Sequence, residues 1–137
     1  EPLIRSHAAP LILWLPIFKM IVNRTRGTIL CKNVEIADSF IKKMRGLMFR
    51  KSLKKNHGLL MVFAREAKEG IWTFGMRFPI DVVWIDSGGT VVGIAKNFPP
   101  WRPPKYPQKA AAMVLELNAG VLKKTKTTIG DFLKLSL

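Results

Sequence analysis

A chain of 137 residues, 48% of them apolar, has the length of one domain and enough apolar side chains for a real core. Its 23 lysines and arginines against 9 acidic residues give a net charge of +14, which draws the surface toward nucleic acid, anionic lipid or an acidic partner without specifying a fold. The single cysteine, Cys31, excludes an internal disulfide and makes a reducing, cytoplasmic setting the default; with only 2 histidines beside it no metal-ligand spacing exists, so neither metal nor cofactor is expected.

Residues 1–19 read as a hydrophobic N-terminal extension, not native to a domain that occupies 20–137. Their apolar run, 8–18, is broken by Pro10 and Pro16 and falls short of the ~20 residues of a membrane span. No small-residue cleavage site follows it, as a signal peptide requires. The rival reading is a short arm packed on the body or on a neighbouring chain. Only Glu1, Arg5 and Lys19 among its residues are charged, so the basic excess belongs to the domain.

From Met20 the spacing predicts a hairpin, Ile21-Val22 and 28–31, bending near Gly27, with Val34-Glu35-Ile36 extending its sheet. The period changes at Asp38, which caps a helix over 39–46. Phe40, Met44 and Leu47 fall on its core face, and Lys42, Lys43 and Arg45 face water. A basic loop, 50–57, leads to a buried strand, 58–63, and a charged connection, 65–69. Strands follow at 71–74 and 80–85, and Ser87-Gly88-Gly89 turns the chain into a partner strand, 90–95. Five prolines between 98 and 107 make a rigid extended loop, since proline fixes φ and cannot donate to a ladder. A strand over 112–117, a short helix over 119–125 capped by Asn118, and a last strand over 132–135 complete the chain.

These segments carry a resemblance. A-D-S-F-I-K-K-M-R-G-L-M-F-R (37–50), M-R-F-P-I-D-V-V-W-I-D (76–86), the pair Trp101-Arg102, V-L-E-L-N-A-G (114–120) and I-G-D (129–131) resemble, in order, uncharacterised protein family 0127, also called domain of unknown function 192. The resemblance implies a compact, mainly antiparallel β domain with one principal helix, and no established activity. Where many members have threonine and leucine around the central proline, this chain has Phe78 and Ile80.

No reaction can be read from these residues, but three constellations are candidates. Asp81 and Glu116, carboxylates in strand-like surroundings, suit either a polyol-orienting pair or an acid/base couple. Equally, each could tie down a turn or pair with Arg50 or Arg77. Trp72, Met76, Trp101 and Arg102 suit sugar stacking, the flat indole matching a pyranose face beside a carboxylate, or else lid packing. Lys42, Lys43, Arg45, Arg50, Lys51, Lys54 and Lys55 form a basic stretch able to hold phosphates, although aromatic residues do not interleave with it in the way single-strand stacking platforms require. Cys31 has no activating base nearby and reads as a half-buried thiol; His57 reads as exposed.

The sequence therefore predicts an α+β domain: mainly antiparallel β, a partly closed barrel-like sheet, one principal helix and one short C-terminal helix. Its expected role is non-catalytic binding of a small polar ligand, such as a saccharide, by Trp72, Met76, Asp81, Trp101, Arg102 and Glu116. The alternatives are nucleic-acid or other polyanion binding through residues 42–55, and a hydrolase built on Asp81 and Glu116. No transmembrane segment is expected, and the oligomeric state is left open.

Overall fold

The computed structural model describes residues 19–37 and 39–136, so the expectations for the leader through Phe18 and for capping by Asp38 lie outside the described residues. Two open sheets make the scaffold. Strands β1 (Met20–Asn23), β2 (Thr28–Cys31) and β8 (Leu133–Ser136) form the smaller, in the order β2-β1-β8. Strands β3 (Asn33–Ala37), β4 (His57–Ala67), β5 (Ile80–Ile85), β6 (Val91–Phe98) and β7 (Ala111–Asn118) form the larger, in the order β3-β4-β7-β5-β6. All pairings are antiparallel except β3 with β4. The class is the expected α+β with mainly antiparallel strands; the sheets are not closed into a barrel. Helices α1 (Phe40–Arg45) and α2 (Val121–Thr125) are both short.

The larger sheet is covered on both faces, which explains why β5, I-D-V-V-W-I, is buried at every position. On one face Leu60, Val83, Ile85, Leu115 and Leu117 pack with Ile21 and Leu133 of the smaller sheet and Leu122 of α2. On the other, Leu59, Met61, Val82, Trp84 and Val114 pack with Leu47, Ile71 and Met76. Side chains alternate along a strand, so register decides which face each residue serves. Asp81 pairs with Leu117, and Val82 pairs with Glu116. The two carboxylates therefore leave the sheet on opposite faces.

Several elements depart from the sequence pattern for identifiable reasons. β3 joins the larger sheet rather than the hairpin, through its parallel pairing with β4. β4 runs on through the charged residues to Ala67, where Ala67 meets Ala111 after a register shift; its second half is an exposed edge whose polar residues imitate a loop. Residues 71–74 make only a bridge, Ile71 to Lys105, because their neighbour is the proline loop, which has too few N–H groups to sustain a ladder. The α1 N-cap is Ser39, whose Oγ accepts from the Lys42 N–H. With only 6 residues, α1 turns Met44 outward, leaving it 54% exposed. Asn118 does not cap α2: its side-chain amide donates to the Leu53 carbonyl at 2.9 Å. Cys31 is fully buried, and burial pushes its thiol up to about 11 against a hydrogen bond from the Ile21 backbone. His57 is half-buried at the start of β4. The hairpin at 86–90 forms as expected, with Asp86 Oδ1 accepting from the Gly88 and Thr90 N–H groups.

Candidate functional site

A cleft of about 350 Å³ opens on the face of the larger sheet that carries Glu116. Met61 of β4 and Glu116 of β7 face it from the sheet. One wall is the end of α1 and its turn, from Lys43 to Met48; the other is residues 69–76, with Trp72, Phe74 and Met76; Phe63 also lines it.

The second wall is held from behind by the proline loop. Ile71 and Lys105 exchange both backbone hydrogen bonds, at 2.8 and 2.9 Å. Thr73 accepts from the Trp101 N–H through its carbonyl and from the Arg102 N–H through Oγ1, and its hydroxyl donates to the Pro99 carbonyl. The two walls meet at Gly75, whose φ of +76° is a left-handed conformation; a Cβ there would lie 2.6 Å from Met48 Cγ. Phe49, itself at φ +63°, donates its N–H to the Gly75 carbonyl at 2.9 Å.

Glu116 is the anomaly of the site. It stands on the central strand of the sheet between Leu59 and Val82, both buried. The residue is 4% exposed, and its Oε1 has no hydrogen-bond partner among the described residues. Burial pushes its carboxyl up to about 8, the positive charge of Arg50 offsetting this only in part. The group is thus mostly protonated at neutral pH, a neutral acid able to donate one hydrogen bond or to give up its proton to a suitable partner.

Of the six residues expected to bind a ligand, the fold brings Trp72, Met76 and Glu116 to this cleft, and from the basic stretch it adds Lys43 and Arg45. Asp81 lies on the opposite face with 0% exposure; its Oδ1 accepts from the Asn97 N–H, and its Oδ2 from the N–H groups of Gly120 and Leu122. It supplies from a distant strand the cap that α2 lacks locally, since the helix's own N-cap is Gly120 with no side-chain bond. An acid/base couple of Asp81 and Glu116 is therefore ruled out by the register, and with it the hydrolase. Trp101, 63% exposed, and Arg102 act on the site through their backbone, and neither lines the cleft.

The basic stretch is divided. Arg50 makes a two-pronged pair with Glu35 at 3.1 Å on each branch. Lys43 Nζ donates to the Val62 carbonyl and sits 4.9 Å over the Phe63 ring, so it faces the cleft rather than water. Lys42, Arg45, Lys51, Lys54 and Lys55 stay exposed. Met44, Met48, Met61, Phe63 and Phe74 were not foreseen as cleft residues. The available signal was methionine use, since four of the 6 methionines line this one cleft. Among the described residues no cluster of His, Cys, Asp and Glu could hold a metal, and no helix is long and apolar enough to cross a membrane.

Comparison with known proteins gives a consistent answer. The UPF0127 protein TK1120 of Thermococcus kodakarensis is 38% identical over 117 residues, covering 83% of this chain and 71% of that protein. The UPF0127 protein PYRAB11210 of Pyrococcus abyssi is 36% identical, covering 82% of this chain and 93% of that one. Among solved structures, one from Sinorhizobium meliloti, described as a "putative transcription regulator", is 28% identical with a TM-score of 0.75, over 85% of this chain and 91% of that one. A protein of unknown function from Novosphingobium aromaticivorans, 22% identical, shares the fold at a TM-score of 0.77, over 86% of this chain and 84% of the other. The model of domain of unknown function 192, described as "Uncharacterized ACR", matches residues 21–135. The chain belongs to this family, DUF192, whose curated archaeal relatives carry the name UPF0127.

Proposed function

We propose that this protein binds, without catalysis, a small ligand in the cleft, its polar head on Glu116 and its apolar body against Trp72, Phe63 and the methionines. The observation that carries this reading is the orphaned Oε1 of Glu116. A buried polar atom with no partner costs about 1–3 kcal/mol. A scaffold has no use for that cost on the central strand of its sheet, whereas a ligand that completes the hydrogen bond recovers it. With one buried polar group amid thioether and aromatic carbon, the cleft suits an amphiphile better than a saccharide, most of whose hydroxyls would go unpaired.

The test is tryptophan emission against a panel of saccharides and small amphiphiles. A ligand in the cleft changes the emission of Trp72; Trp72→Phe removes that signal and Trp101→Phe leaves it. Trp72→Ala weakens binding about tenfold, the scale of one lost aromatic contact. A panel that leaves emission unchanged, or a change that survives Trp72→Phe, overturns the reading.

The name of the Sinorhizobium relative and the exposed lysines of residues 51–55 favour a second reading, polyanion binding beside the cleft. On that reading affinity for duplex DNA falls at least tenfold between about 50 and 200 mM salt, and Lys51→Glu with Lys54→Glu weakens it at every salt concentration. Retention on DNA that is indifferent to salt eliminates it.

A further inference from the structure

We propose that the head group selected by the cleft is an organic cation, a primary ammonium on a short apolar body, with the Glu116 carboxylate as its counter-ion. This rests on the reading of the cleft as a binding site. A neutral donor or acceptor would complete one hydrogen bond at Oε1; an ammonium does that and also balances the charge that makes an ionised Glu116 costly on a buried strand. The walls are suited to the same chemistry. Trp72 and Phe74 form a tilted pair with centroids 5.6 Å apart, and Phe63 adds a third ring; aromatic faces attract cations through their quadrupoles.

The chain already places one ammonium here. Lys43 Nζ lies 4.9 Å over the Phe63 ring and donates to a strand carbonyl, so a wall of this cleft accommodates a cation. A volume of about 350 Å³ is near the lower end for ligand pockets, which start at about 300 Å³, and limits the guest to a small molecule or a single side chain.

The charged groups around Glu116 are Lys43 and Arg45 from α1, Glu69 from the opposite wall, and Arg50, whose field reaches the carboxyl. Among them Lys43 is turned to the Val62 carbonyl and Arg50 to Glu35, Arg45 stays exposed, and among the described residues no cation pairs with Glu116. Binding replaces the Glu116 proton by the ammonium: the carboxyl O–H breaks, the proton leaves to buffer, and the carboxylate keeps the electron pair. Below the raised titration point of about 8, affinity therefore rises with pH, by up to tenfold per pH unit.

The probes are n-pentylammonium, which stays charged from pH 6 to 9, and its neutral analogue 1-pentanol, read by Trp72 emission and by calorimetry. The expected results are at least tenfold tighter binding of the ammonium at pH 8, affinity rising from pH 6 to 8, and proton release seen as a buffer-dependent heat. Glu116→Gln is expected to erase the preference and the pH dependence while retaining 1-pentanol. Nα-acetyl-lysine methylamide separates the sources: tighter than n-pentylammonium, it points to a lysine side chain of a peptide; weaker, to a free amine. Equal binding of 1-pentanol, or binding of saccharides and neutral amphiphiles only, overturns the cation and leaves the cleft reading intact. Silence from every probe overturns both.

Discussion

Glu116→Gln is expected to make the protein more stable, and only above about pH 5. The sign follows from the two states of the carboxyl. Below the ordinary value near 4.5, folded and unfolded chains both carry the proton and the residue contributes nothing. Between 4.5 and about 8 the unfolded chain releases it while burial makes the folded chain hold it, so stability falls as pH rises. Above about 8 the loss levels off. At about 1.4 kcal/mol per pH unit the accumulated penalty is on the order of 5 kcal/mol by pH 9. Glutamine does not titrate, so the melting curves of the two proteins should coincide near pH 4 and separate by roughly 10 °C or more at pH 9. Parallel profiles would mean that the carboxyl ionises normally in the folded chain. A residue whose removal stabilises the fold is one that stability did not place there, which is the physical basis for assigning it to a ligand.

Asp81→Ala is expected to have the opposite effect. It strands three backbone N–H groups, of Asn97, Gly120 and Leu122, around a side chain with 0% exposure. At about 1–3 kcal/mol for each unsatisfied group the loss is on the order of 5 kcal/mol, comparable with the whole stability of a small domain. Denaturant unfolding should show a collapse of the midpoint or no folded baseline. Asp81→Asn keeps one acceptor oxygen and should lose less, and because the residue serves the far face of the sheet it should bind cleft ligands unchanged. An Asp81→Asn protein that folds normally but no longer binds would contradict the purely structural role. These two acidic residues, alike in sequence setting, thus carry opposite predictions.

Their difference also shows where reading the sequence stops. Both sit in runs of aliphatic residues, D-V-V-W-I and V-L-E-L, and each alone reads as a carboxylate lodged in a strand. Nothing local reveals that one meets three amides while the other's Oε1 meets none among the described residues, because the amides that Asp81 meets lie 16 to 41 residues away along the chain. The same holds for Trp101. Its proline-rich surroundings correctly announce a stiff loop, but whether the indole points at the cleft or away is decided by the backbone bonds to Thr73. Lys43 shows the reverse error: helical periodicity assigns it to solvent, while the Val62 carbonyl and the Phe63 ring draw it to the cleft.

What the sequence determined by itself is the local grammar: alternating β-branched strands, the Asp86–Thr90 turn, the proline loop, the family, and a basic body of α+β class. Those features depend on periods of two or four residues and on the φ preferences of glycine and proline, which act between chain neighbours. The tertiary structure alone decided which face of the sheet each carboxylate occupies. It also decided which methionines gather at one cleft, and that Glu116 Oε1 has no hydrogen-bond partner among the described residues. Strand register and docked loops set those outcomes, because burial and hydrogen-bond satisfaction are properties of residues brought together from distant parts of the chain.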